Sequence, residues 1–522
     1  MDRISHKSNP SRRRRGLAVG LCVVAAASLL GLLRAGASWG AQYDPATDAN
    51  SMYNTTLYSG AQAWWNAGYT GKGVDVALID TGVSPVAGLD APGKVIDGPD
   101  LSLESQAPNL TRLDTYGHGT FMAGLIAGHD AGLTAPYAVA PASVYRGMAP
   151  DARIVSVKVG TADGGVDVSQ VIAAIDWVVQ HKSDNGLNIR VINLSYGTNS
   201  TQDPYVDPLS YAVEQAWANG IVVVAAAGNS GYQVGGGAPG IADPAYNPFV
   251  IAAGASDSMG TPALLDDTVT AFSASARCNH CKRPDIVAPG AHLQGLRVPN
   301  SYIDATNPTG SLDDRYFRGS GTSESAAITS GAVALVLQKY PTMTPDQVKA
   351  FLKANAFSLS GANALAQGSG ELNLTAMLVA GPPSRYSQKF HSGSGTGSLE
   401  LARGQDHLTR DGVVLSGEQD IFGKPFDSAA MATLEDSASS WSGGDWNGST
   451  WSGSSWSGSS WSGTVWTGNS WSASSWSASS WSASSWSASS WSASSWSGSS
   501  WSGSSWSGNS WSSDGWMGAT WG

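Results

Sequence analysis

Cysteine is nearly missing from this chain: three residues in 522. Cys22 sits in the N-terminal leader, without the small residues that precede a lipid-modified cysteine. That leaves Cys278 and Cys281, as Cys-Asn-His-Cys. Two cysteines are too few for a disulfide-built scaffold, and with only His280 adjacent they fall short of the four ligands a zinc site needs. Outside a cell such a pair reads first as one local disulfide, with a metal site or a redox pair as alternatives. Charge is also scarce, at 13% of residues. Long apolar runs are rarer still. The clear one, from Gly16 to Leu33, follows Arg12-Arg13-Arg14-Arg15 and precedes Ala35-Gly36-Ala37. Its length is short for a membrane span, and the small-x-small pattern marks a secretory signal peptide over residues 1–41, cut after Ala37 or Ala41. The paired arginines are compatible with twin-arginine export. The leader carries Arg3, Lys7, Arg12 to Arg15 and Arg34 against Asp2, so its removal takes the net charge from −11 to −17. An acidic chain with no basic cluster is a poor nucleic-acid ligand, and none is expected as a partner.

What is present falls into zones. Residues 42–59 read as a polar, irregular extension. From Gly60 to about residue 378, apolar strands alternate with helical spacing. Val74–Ile79, Ala152–Val159, Val191–Ser195 and Ile221–Ala225 read as strands. Residues 118–128, 166–182, 208–219 and 342–354 read as helices. This alternation predicts an α/β unit with a mainly parallel sheet, whose sites lie at the carboxyl ends of strands. Asp80, Ser195 and Asn229 all follow such strands. Gly381-Pro382-Pro383 marks a boundary, and residues 379–438 read as a linker with a denser patch over 412–423 that could pair as a small hairpin.

From residue 439 to 522 the chain is a repeat of five. Tryptophan recurs from Trp441 to Trp521 at every fifth position, 17 of the 22 in the chain. On a flat strand an odd period turns neighbouring rings to opposite faces. On an α-helix each ring is rotated about 140° from the last. A turn within each unit, as in a β-solenoid or stacked hairpins, would gather them. The alternative is a disordered Ser/Gly tail.

The chemistry converges on Gly319-Ser320-Gly321-Thr322-Ser323-Glu324-Ser325, where small residues deliver Ser323 to the start of an apolar helix. A helix start offers unpaired N–H groups and partial positive charge, which suits a nucleophile, although serine also caps helices for purely structural reasons. Ile79-Asp80-Thr81-Gly82 places a carboxylate at a strand end, and Tyr116-Gly117-His118-Gly119-Thr120 an imidazole at a helix start. A serine nucleophile needs a base, and the base needs a carboxylate to fix its tautomer. Asp-Thr-Gly also marks aspartic proteases, but their two carboxylates are not matched by the single copy here. In Ala226-Ala227-Gly228-Asn229-Ser230, the Asn229 amide could donate to an oxyanion beside the Ser323 N–H; the bland reading is that it shapes a turn.

These four motifs, in this order over residues 60–378, resemble the subtilisin-like serine proteases (peptidase family S8). The resemblance implies a subtilisin-like three-layer αβα catalytic domain. It implies Asp80, His118 and Ser323 as the triad and Asn229 as oxyanion donor. Ser195, Tyr196, Gly197, Ala226, Ala227 and Gly228 would line the cleft and pair with substrate backbone. Asp285-Ile286-Val287-Ala288-Pro289-Gly290 matches another family segment, and Ala242 and Asp243 fall near the base of the specificity pocket. No cofactor is implied. The family often binds structural calcium, but no ligand set and no metal site can be assigned. The expected partner is a polypeptide substrate, acted on by a secreted or surface-associated monomer.

The chain departs from the family pattern in three places. Glu324 stands where the family usually has methionine, and could bias the enzyme against acidic residues after the scissile bond. No folding pro-domain precedes Gly60. The pentad tail lies outside the protease resemblance, although similar tails accompany some bacterial secreted members. Spaced tryptophans could bind cell-wall glycan with avidity. Two rival readings follow: a surface-binding protein with an inactive protease-like head, and a serine-carboxyl peptidase with an acid pH optimum.

Overall fold

The structure, a computed structural model, describes residues 43–451 except 106, 108, 233–239, 277–280 and 411–412, and beyond them the backbone of 507–508 and 518–520. The signal-peptide assignment and most of the pentads lie outside these residues. Two short helices open the described chain, α1 (Met52–Tyr58) and α2 (Ala61–Asn66). This corrects the reading of residues 42–59 as irregular. Ser51 caps α1 by accepting from Asn54 N–H, and polar side chains spaced for a cap hid a helix too short to show periodicity.

Short apolar strands, buried on both faces at the centre and more polar and half-exposed in the edge strands Val95–Asp100 and Thr268–Val269, build the central sheet. They are β1 (Asp75–Asp80), β2 (Val95–Asp100), β3 (Arg153–Lys158), β4 (Ile189–Leu194), β5 (Val222–Ala226), β6 (Ile251–Asp257), β7 (Thr268–Val269) and β8 (Ile286–Pro289). The spatial order is β2-β3-β1-β4-β5-β6-β7, with β8 also on β6. Every pairing is parallel except β6 with β7. The chain fills positions on one side of β1 and then on the other, so the topological switch falls beside β1, at whose carboxyl end Asp80 sits.

Helices cover the sheet in two pairs. α3 (His118–Ala127) is buried along its whole length and packs with α7 (Thr322–Lys339). α4 (Val168–His181) packs with α5 (Pro208–Ala218). Against the α3/α7 pair lies the ribbon of β9 (Leu293–Leu296) with β10 (Tyr316–Gly321), whose strands are connected through α6 (Tyr302–Thr306). α8 (Pro345–Asn355) carries a Thr344/Gln347 capping box, and α9 (Leu374–Val379) follows. The result is the expected α/β fold, a mainly parallel sheet between helical layers.

The segment whose composition reads as a linker packs closely onto this unit. α10 (Leu399–Arg403) brings Arg403 against Asp167, both side chains fully buried, with Nε 2.6 Å from Oδ2. Arg403 also donates to the Gly417 and Gln419 carbonyls. Thr198 Oγ1 donates to the Ala402 carbonyl at 2.7 Å. β11 (Leu408–Arg410) and β12 (Val413–Val414) form a small hairpin, followed by α11 (Ser428–Asp436).

The first three pentads form a meander of β13 (Trp441–Ser442), β14 (Asp445–Trp446) and β15 (Ser449–Thr450). Two-residue turns at Gly443-Gly444 and Asn447-Gly448, all four residues at positive φ, reverse the chain as hairpin turns require. The turns bring Trp441, Trp446 and Trp451 into one cluster with ring centroids about 6 Å apart. The cluster rests on α4. Trp441 Nε1 donates to Ala173 O at 2.9 Å, Trp446 Nε1 donates to Asp176 Oδ2 at 2.8 Å, and Gln180 both donates to and accepts from the Trp441 backbone. These three rings face inward, so glycan stacking expected of the repeat would fall to pentads outside the described residues. Two more tail strands are set apart: β16 (Ser507–Gly508), on β11, and β17 (Gly518–Thr520), on β10.

Candidate active site

Asp80 ends β1 and His118 begins α3, so a strand end meets a helix start. His118 Nδ1 lies 2.8 Å from Asp80 Oδ1, with both side chains buried. Asp80 Oδ1 also accepts from the Thr81 N–H at 2.8 Å, which favours the ionised carboxylate. Burial pulls the imidazole pKa down, but the Asp80 charge and hydrogen bond outweigh it, with Glu324 adding to them, and the net direction is up.

The two motifs interlock through Asp114, which the sequence reading missed. Its Oδ1 accepts from Gly117 N–H at 2.6 Å and from Thr81 Oγ1 at 2.7 Å, and its Oδ2 accepts from Thr120 N–H at 2.7 Å. Thr81 Oγ1 is in turn 2.9 Å from Gly119 N, as acceptor. One carboxylate thus satisfies two N–H groups at the start of α3 and, through Thr81, ties them to the Asp-Thr-Gly turn. Its one sequence signal is an acidic residue three positions before a helix-starting glycine. Gly119 is fixed by contact, because a Cβ there would collide with the Gly82 carbonyl and come within 3.1 Å of Asp80 Oδ1.

Ser323 is the second residue of α7, which packs on α3, and the charge of its neighbour Glu324 is felt at His118. Ser323 Oγ donates to Ser195 O at 3.3 Å, and Ser195 Oγ donates to Ser323 O at 3.1 Å. Ser195 is set by Asn193 Nδ2 at 2.9 Å, itself linked to Ser330. Asn229 Oδ1 accepts from Thr322 N–H at 3.0 Å and Thr322 Oγ1 at 3.1 Å. That locks the amide plane and turns Nδ2 away from Thr322. Gly228 N–H donates to Thr322 Oγ1 at 3.1 Å, so the Asn229 loop and the serine turn are held as one piece.

A pocket of about 240 Å³ opens beside Asn229, lined by Gly228, Thr198, Ser200 and Ala242 among others. Asp243, next to Ala242, is fully buried behind it. Of the residues expected along the cleft, Gly228 lines this pocket. Ser195 braces the serine, while Tyr196, Ala226 and Ala227 are buried. Cys281 is disulfide-bonded, and Cys278 lies outside the described residues. Burial would raise the Asp285 carboxyl pKa, but Lys282, Lys349 and Lys353 hold it below the usual range; the family-like segment it begins is anchored by charge.

Glu324 follows Ser323 in the first turn of α7 and, like Ser323 and His118, is closed off from solvent. Its side chain is fully buried, and neither carboxyl oxygen has a hydrogen-bond partner in another residue. Burial pushes its pKa up to about 7, against the pull of His118.

Taken together, sheet, helix starts and anchored serine define the class: an α/β serine-type peptidase. Residues 71–388 match the model of the subtilase family, Peptidase S8. The chain belongs to the subtilase family, as a subtilisin-like serine endopeptidase. It is 37% identical to serine protease AprX of Bacillus subtilis over 308 residues, 58% of this chain and 66% of that one. It is 30% identical to subtilisin DY of Bacillus licheniformis over 309 residues, 59% of this chain and 92% of that one. A crystal structure of a cold adapted subtilisin-like serine proteinase aligns at 26% identity and TM-score 0.42, covering 58% of this chain and 89% of that one.

Proposed function

We propose that this protein is a secreted endopeptidase that cleaves polypeptides through an Asp80–His118–Ser323 triad and an acyl-enzyme. The observation that carries the reading is the buried Nδ1–Oδ1 hydrogen bond between His118 and Asp80, with Ser323 in the first turn of the helix that packs on the one His118 begins. With Nδ1 held by Asp80, Nε2 is the atom that takes the proton. Rotation of Ser323 about χ1 exchanges the Ser195 carbonyl for that nitrogen. Oγ then attacks the peptide carbonyl, and the proton passes to His118 and on to the leaving amine. Water repeats the cycle on the ester. The oxyanion is met by Ser323 N–H and Asn229 Nδ2, whose plane Thr322 fixes in advance. The pocket beside Asn229 receives the side chain on the acyl side of the scissile bond.

These steps draw only on side chains and backbone of this chain. Among the described residues, no group of three or more His, Cys, Asp or Glu side chains is placed to hold a metal ion, so structural calcium has no assigned ligands. Among the same residues, no helix is long and apolar enough to cross a membrane. Export rests on the leader composition. The test is labelling with a fluorophosphonate: the native chain labels and Ser323→Ala does not. Equal labelling of both would overturn the assignment.

A further inference from the structure

Ser323 and His118 are both 0% exposed, and Asp80 is 1% exposed. A protease must bring a polypeptide carbonyl to its serine, so the residues assigned to the chemistry are closed off in this state. The strand leading to the serine shows what lies across that approach. One edge of β10 pairs with β9 from Tyr316↔Leu296 to Gly319↔Leu293. The next two residues, Ser320 and Gly321, pair instead with the far end of the chain. β17 lies antiparallel on them, with Ser320↔Thr520 and Gly321↔Gly518, and it also packs against α7.

Gly321 is two residues from Ser323. At about 3.3 Å per residue, β17 ends within roughly 7 Å along the chain from the nucleophile. A polypeptide seated with its scissile bond on Ser323 must pass that edge, and two chains cannot share it. The edge is built from Gly319, Ser320 and Gly321, small residues that leave the main chain open to strand addition, a mode whose affinity comes from backbone hydrogen bonds. Tethering makes the docking intramolecular and favours it over free peptide.

We propose that residues 518–520 are an intramolecular inhibitor, docked as an added strand on Ser320-Gly321 and excluding substrate from Ser323. The inference rests on the triad assignment above. Only two residue pairs are made, so the block is reversible, a brake that substrate or loss of the tail releases.

The test uses the full chain carrying Gly518→Pro and Thr520→Pro. Proline removes the N–H and does not fit a paired strand. Loss of two pairs should raise the fluorophosphonate labelling rate of Ser323 roughly tenfold and lower KM for a chromogenic peptide, at unchanged Tm. Labelling at the native rate would overturn the proposal. A second measurement avoids catalysis. A fluorescent peptide of residues 514–522 is titrated onto the proline variant carrying Ser323→Ala. Saturable binding, lost when the peptide bears the two prolines, supports docking; no binding overturns it. If the peptide binds while neither chain labels, the docking stands and the triad assignment and the inhibition both fall.

Discussion

Glutamine at position 324 removes one charge and little volume, at a site where the charge is costly. The Glu324 carboxyl titrates at about 7 in the fold, against an ordinary value of 4.5. A raised acid pKa means that the folded state holds its proton more tightly than the unfolded chain. Stability from this group is therefore present at low pH and lost as pH rises from 4.5 through 7. The difference between 4.5 and about 7 sets a ceiling of about 3 kcal/mol, most of which is lost between pH 5 and pH 8. Glu324→Gln should abolish that slope. Urea unfolding of Ser323→Ala and of Ser323→Ala with Glu324→Gln, at pH 5 and pH 8, reads it without autolysis. A buried amide carries its own penalty, but this is the same at both pH values and cancels. The expected result is that the glutamine variant gains on the order of 2–3 kcal/mol relative to its parent on going from pH 5 to pH 8. An equal stability difference at the two pH values would refute the reasoning. In the active enzyme the same change removes negative charge near His118, so the acid limb of the kcat/KM profile should move to lower pH.

Two further outcomes follow from the geometry. Asn229→Ala should lower kcat by about 10²–10³, the loss known for removing one such donor from a subtilisin site, with KM little changed; a loss confined to KM would mean that the amide only shapes the loop. Arg403→Met leaves Asp167 buried without its counter-charge and should cost about 3–5 kcal/mol in urea unfolding, with much of it recovered when Asp167→Leu is added; an unaffected single variant would show that residues 398–451 do not brace the catalytic unit.

The parallel sheet was legible because β1, β4 and β5 are short apolar runs buried on both faces, which few other structures explain. Asp80, His118, Asn229 and Ser323 stood out because each sits in a frame of small residues, and the close approach of Gly119 to Gly82 gives one reason for such a frame. Asp114 was hidden because it holds backbone N–H groups, a role any acidic residue near a helix start can fill. The packing of residues 384–451 was hidden for a different reason. Its apolar anchors are scattered singly, from Leu399 to Trp451, and its buried ion pair joins partners 236 residues apart, in a segment whose composition is that of a loop. Glu324 was recognised as unusual, but exposure of a first-turn residue depends on the neighbouring helix, which the sequence around it does not reveal.

The tryptophan meander has a consequence for the order of events during synthesis. α4 is complete at His181, yet Gln180 waits for Trp441, 261 residues later, and Asp176 waits for Trp446, 270 residues later. At about 5–20 residues per second that delay is roughly 10–50 s. Throughout it, Asp167 and Asp176 face water and the receiving surface of α4 stands open. A chain that stops before residue 403 never supplies the guanidinium that Asp167 requires, and one that stops before residue 446 never closes the aromatic cluster. The same contacts that fasten the extension thus register whether translation has run on past the catalytic unit, and an interrupted chain would be marked by an exposed, unneutralised face open to proteolysis.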